Sequence, residues 1–167
     1  MSPADSPLCQ DIAYLFHPDV DRNVNAAEGE TGITAMHIAA SKGRLPCLRV
    51  LLASGGSMVK TDRNGQNVLH KAAQKGHDDV LRFILLQRYE VKKNGGGAVL
   101  DIDAQEDSTG MTALHEAAYG GFKHCVEALK AARARHYVRD HFRKKPYEYA
   151  LIKVCTVCPQ LFALNLT

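Results

Sequence analysis

The chain has 167 residues, of which 46% are hydrophobic and 23% charged, with a net charge of +3; these values suit one folded domain with a substantial core and exclude a wholly disordered chain. No apolar run approaches the roughly 18 residues that span a bilayer, and "MSPADSPLCQ" lacks the basic region and apolar core of a secretory leader. Five cysteines with no even-spaced framework suggest reduced thiols, so a cytoplasmic or nuclear setting without membrane insertion is expected.

Reading along the chain, residues 1–31 are acidic, with six carboxylates against Arg22 alone. A turn at Glu30-Thr31-Gly32 then opens "GITAMHIAASKGRLPCLRVLL". The same plan returns at Arg63-Asn64-Gly65 with "GQNVLHKAAQKGHDDVLRFIL", and at Ser108-Thr109-Gly110 with "GMTALHEAAYGGFKHCVEALK". The leading glycines stand 33 residues (32 to 65) and then 45 residues (65 to 110) apart. A further 33 residues reach Arg143, where "RKKPYEYALIKVCTVCPQLFA" keeps the pattern in degraded form. The chain is a repeat array.

Each unit reads as a turn followed by two helices. Asp62 and Asp107 are placed to accept from turn backbone. A short first helix carries Met36, Leu69 or Leu114 inward, then paired alanines (39–40, 72–73, 117–118) that admit a close neighbour. Gly43, Gly76 and Gly121 end it, free to take positive φ. A second helix places Cys47, Leu48 and Leu51, then Val80, Leu81 and Ile84, then Cys125, Val126 and Leu129 at helical spacing. One such pair cannot bury its apolar face, so the units must stack. The longer spacing after Gly65 is an insertion at about 88–99, in which "LLQRYEVKKN" extends the second helix and "NGGGAV" loops back. Twelve added residues cost about 1 kcal/mol of closure entropy.

Candidate chemistry is thin. His115-Glu116 resembles the start of a zinc hydrolase motif, but Tyr119 stands where the second histidine belongs. The histidine recurs at His37 and His70 while its successor changes to Ile38 and Lys71, which a catalytic dyad would not tolerate. Cys155 and Cys158 form a lone CxxC pair; in register Cys158 falls on a core position of a second helix. "NGGGAV" lacks the Gly-Lys-Ser/Thr ending of a phosphate loop. The run from Arg133 to Lys145 carries six basic residues against Asp140, a solvated rim or a dock for an acidic surface before it is a nucleic-acid site. No enzyme, cofactor or metal is expected.

The segments "GITAMHIAA", "GQNVLHKAA" and "GMTALHEAA" resemble the ankyrin repeat, with its Thr-Pro-Leu-His-x-Ala signature in a unit of about 33 residues. Ala35, Val68 and Ala113 replace the signature proline, which returns only as Pro146, and Asn67 replaces the threonine. The resemblance implies an all-α solenoid with short β-hairpin loops. Its units are an N-terminal half-repeat cap over 1–27 (Ile12, Leu15 and Phe16 inward), repeats over 28–60, 61–105 and 106–138, and a divergent capping repeat over 139–167. It implies that the histidines hydrogen-bond the backbone of the next turn. It further implies a monomeric protein-interaction module that binds a partner protein, not nucleic acid, in a groove of hairpin tips and first helices. Carried over position by position, the contact residues are Glu30, Thr31, Ile33, Ser41 and Lys42; Arg63, Asn64, Gln66, Gln74 and Lys75; and Ser108, Thr109, Met111, Tyr119 and Gly120, with Tyr119 and Met111 as anchors. The alternative is a targeting or regulatory arm of a larger enzyme.

Overall fold

The structure is a computed structural model that describes residues 23–95 and 98–152. Among them are seven helices: α1 (Ala35–Ser41), α2 (Leu45–Ala53), α3 (Val68–Lys75), α4 (Asp78–Asn94), α5 (Ala113–Gly120), α6 (Lys123–Ala131) and α7 (Pro146–Ile152). The first helices form one layer in which α1 packs on α3, α3 on α5 and α5 on α7; the second helices form another in which α2 packs on α4 and α4 on α6. The core runs between the layers. Ala39, Ala40, Ala72, Ala73, Ala117 and Ala118 are fully buried, facing Leu48, Leu81, Ile84 and Leu129 across the interface. Small side chains on the first helices are what let three to four helices stack side by side without a gap.

Local chemistry sets the ends of each helix. Thr34, Asn67 and Thr112 are extended N-caps, and the Asn67 side chain accepts from the backbone N–H of Leu69 at 3.0 Å and His70 at 3.2 Å. At the other end Gly76 has φ 74°, and a Cβ there would meet Phe122 Cδ1 at 2.4 Å. That position therefore needs glycine twice over, for conformation and for space.

The hairpins stack on one another through their backbones. Arg63 N–H donates to Thr31 O at 3.0 Å, Asp107 N–H to Asn64 O at 2.8 Å, and His141 N–H to Thr109 O at 2.9 Å. Gly32, Gly65 and Gly110 hold φ near 70° in these turns, and Arg143 takes the same place in the fourth with φ 59°. The degraded last unit thus keeps the turn without its glycine. Regular pairing is minimal: Ala27 and Thr34 form an isolated bridge.

One expected turn contact is corrected. Asp62 accepts from the N–H of Asn64 and of Gln66, both at 2.9 Å. In the third unit the Asp107 side chain accepts no turn N–H among the described residues; Glu106 braces the turn instead through side chains, accepting from the Ser108 hydroxyl at 3.1 Å and from the Thr109 hydroxyl. The third turn is one residue longer: Asp62 N–H closes on Gln66 O, whereas Glu106 N–H closes on Met111 O. The longer Glu side chain spans the added residue.

In the second unit α4 has 17 residues where α2 and α6 have 9 each. Much of the insertion is therefore helix. Gly95 (φ 66°) ends it, and Arg88 Nε donates to Leu100 O at 2.7 Å, fastening the returning chain, whose Leu100 and Ile102 are buried. In the last unit Tyr149 and Ala150 are buried at α7. The cap residues Ile12, Leu15 and Phe16 and the pair Cys155 and Cys158 fall outside the described residues.

Candidate functional site

The three repeated histidines are scaffold. His37, His70 and His115 are at most 1% exposed. Each accepts the N–H of its own N-cap residue at Nδ1 (3.2, 3.2 and 3.1 Å), and its Nε2 lies 3.1–3.2 Å from a carbonyl of the next unit: Gln66, Met111 or Lys144. A carbonyl only accepts, so Nε2 carries the proton and the ring is neutral. Burial lowers all three pKa values, more than the nearby carboxylates and carbonyls raise them. Every ring is a rivet between adjacent units, with no nitrogen left for a metal or a reacting group. Cys125 is also inert: burial raises its thiol to about 12. Among the described residues no three His, Cys, Asp or Glu side chains converge as a metal would require.

The expected contact residues divide by exposure. Glu30, Thr31, Lys42, Arg63, Asn64, Gln74, Lys75, Ser108 and Tyr119 are exposed; Ile33, Ser41, Thr109 and Gly120 are half-buried. Gln66 and Met111 are not surface contacts as expected, since each is 8% exposed. Gln66 instead donates from its side-chain nitrogen to Glu106 and accepts from Lys71 Nζ at 2.6 Å. Met111 belongs to the core, and its carbonyl receives His70. Both follow a turn glycine, where the chain dips toward the neighbouring unit.

A buried polar chain runs beneath the turns from Asp62 through Lys71 (2.7 Å) and Gln66 to Glu106. Burial alone would raise the Asp62 pKa, but the Lys71 bond and backbone donors outweigh it and hold it below the usual range. Glu106 is lowered in the same way, with burial outweighed by donation from Thr109, Gln66 and Ser108.

Glu116 is different, and its burial was not apparent from the sequence. Four residues after each cap, the first helices present Ile38, Lys71, Glu116 and Tyr149 in one register. Glu116 is 7% exposed; its N–H donates to Thr112 O at 3.1 Å within the helix, while its carboxylate has no protein partner among the described residues and still reaches solvent at its oxygens. Burial, then the nearby Glu106 charge, raises its pKa to about 7. One turn on, Tyr119 is 52% exposed, its ring set edge-on to Tyr149 with centroids 5.8 Å apart and planes at 79°. Tyr149 is itself fixed, donating its hydroxyl to Asp140 and packing edge-on to His115 at 6.1 Å. The middle of the first-helix layer thus combines a braced aromatic ring with a carboxylate lacking a partner.

Comparison with known proteins settles the fold family. The model described as ankyrin repeats (3 copies) matches residues 5–95, and ankyrin repeats (many copies) matches 69–129. The chain belongs to the ankyrin repeat family. Ankyrin repeats are protein-interaction modules and are themselves non-catalytic. The chain is 35% identical to a probable E3 ubiquitin-protein ligase, XBOS31, of Oryza sativa over 61% of its length and 20% of that protein's. It is 32% identical to palmitoyltransferase AKR1 of Lachancea kluyveri over 85% of its length and 18% of that protein's. It is 29% identical to the nuclear factor NF-kappa-B p105 subunit of Gallus gallus over 75% of its length and 12% of that protein's. The ankyrin chain therefore spans a fifth or less of each of these relatives. No helix among its described residues is long and apolar enough to cross a membrane.

Proposed function

We propose that this ankyrin domain binds a segment of a partner protein laid across the first-helix register and the turn tips, with Tyr119 as its central anchor. The observation that carries this reading is Tyr119 itself, a large ring 52% exposed yet braced by Tyr149. A ring already held in place loses little conformational freedom on binding, which is what interface hot spots favour. Glu116 adds a second element. A lysine, arginine or hydroxyl of the partner that reached its carboxylate would give it the protein partner it lacks among the described residues, and would lower its pKa as it did so. Arg63, Asn64, Lys75 and Ser108, all exposed, form the polar rim.

Affinity capture with wild-type and Tyr119→Ala baits tests the site, followed by a titration of the recovered partner. The expected outcome is a loss of about 2 kcal/mol or more in binding with an unchanged thermal midpoint. Equal binding by both baits would refute the site. A second reading, that the domain is the targeting or regulatory arm of a larger enzyme, is supported by relatives that include a ligase and a transferase of which the chain covers a fifth or less. Sequencing the full transcript decides it, since this reading requires a catalytic domain in the same frame.

A further inference from the structure

The extension of α4 creates a feature the repeat plan does not contain. Where α4 overruns its sister helices, its last turns and the end of α6 enclose a cleft of about 470 Å³. Buried Leu85 and half-buried Ala132 give it an apolar floor, while four cations line it: Arg88, Lys92, Lys93 and Arg133. No carboxylate is among the lining residues. Tyr89, 59% exposed, stands at its edge.

Lysines in the last turn of a helix have an ordinary use, since they offset the carbonyl end of its dipole. That accounts for Lys92 and Lys93, and fastening the returning chain accounts for Arg88, but neither accounts for Arg133. Arg88 is held in place by its bond to Leu100 O. Arg133 takes a left-handed backbone, φ 65°, at the turn ending a second helix, where the first unit has Gly55 with φ 87°. An arginine there costs about 1 kcal/mol relative to glycine, which the described contacts of Arg133 do not repay. Local positive potential above an apolar floor selects an occupant that is acidic outside and apolar at its centre.

We propose that this cleft is a second docking site, taking a short acidic peptide segment with one apolar side chain seated on Leu85 and Ala132 and flanking carboxylates on Arg88, Lys92, Lys93 and Arg133. A peptide fits better than a nucleic acid because carboxylates interrupt the positive surface on either side of the cleft. Asp103 neutralises the next cation, Arg135, at 3.5 Å, and Glu90 interrupts the α4 stretch, leaving no track for a phosphate backbone. The site lies between second helices and is independent of the Tyr119 surface.

The test uses the whole chain and a fluorescein-labelled peptide in which one leucine is flanked on both sides by glutamates, read by fluorescence anisotropy. Binding should weaken with added salt and weaken when glycine replaces the leucine. Lys92→Glu with Lys93→Glu should weaken it by at least about tenfold. Arg133→Gly should weaken it several-fold while leaving the thermal midpoint unchanged or higher, because glycine suits that backbone; this separates lost contact from lost fold. Tyr119→Ala should leave it unchanged. Absence of binding, binding indifferent to the lysine and arginine variants, or tighter binding of a labelled duplex oligonucleotide than of the peptide would each overturn the proposal.

Discussion

Replacing Glu116 by Gln removes a largely buried carboxylate that has no protein partner among the described residues and meets solvent only at its oxygens, and the effect on stability should depend on pH in a defined way. Its pKa is 4.5 when unfolded and about 7 in the fold, so the native state holds a proton that the unfolded chain has released. Below pH 4.5 both states are protonated and the variant should match the wild type. Between pH 4.5 and about 7 the wild type loses stability as pH rises, because ionisation favours the unfolded chain; above that the loss is constant. At about 1.4 kcal/mol per decade the ceiling is about 3 kcal/mol. Water at the surface edge relaxes part of it, so Glu116→Gln should gain about 1–2 kcal/mol at pH 8. Urea unfolding of both proteins from pH 4 to pH 8, taken as the difference at each pH, isolates this group. The buried histidines act in the opposite direction, their lowered pKa values removing stability as pH falls below 6.5, and they cancel in the difference. A variant that is equally stable at pH 8, or whose advantage is the same at pH 4, would refute the assignment.

Three further outcomes follow from the packing. Enlarging Ala117, fully buried between α3 and α7, to Leu should destabilise by about 1–3 kcal/mol in chemical denaturation. His115→Ala leaves the Thr112 N–H and the Lys144 carbonyl without their shared ring and should cost about 2–4 kcal/mol, read in the same way. Arg143→Gly relieves a left-handed arginine (φ 59°) and should raise stability by about 1 kcal/mol, seen as a higher thermal midpoint.

The repeat register was legible because glycine, histidine and the alanine pair recur at fixed offsets, and each of those offsets is a contact between units. His37, His70 and His115 could be assigned to the scaffold for that reason. The extension of α4 could also be read, since "LLQRYEVKKN" has no helix breaker before Asn94. What could not be read depended on neighbours. Asp107 looked equivalent to Asp62 when counted back from the turn glycine, yet the third turn holds one more residue and Glu106 does the work. Met111 and Gln66 looked like surface variants of Ile33, but stacking turns them under the next hairpin. Glu116 sits in a register shared with Ile38 and Lys71, and only the packing of α5 between α3 and α7 buries it. The cleft beside Arg133 needed the end of α6 and the overhang of α4 to be brought together in space.

The claim that a partner protein lies across the first-helix surface is tested most directly by placing a photo-crosslinking residue at position 119 and, separately, at position 50. Val50 is as exposed as Tyr119, at 55% against 52%, but sits on α2 in the other layer. Irradiated with the captured partner, the position 119 protein should form a covalent adduct that maps to one partner segment, and the position 50 protein should not. Equal crosslinking from both positions, or crosslinking from position 50 alone, would contradict the account.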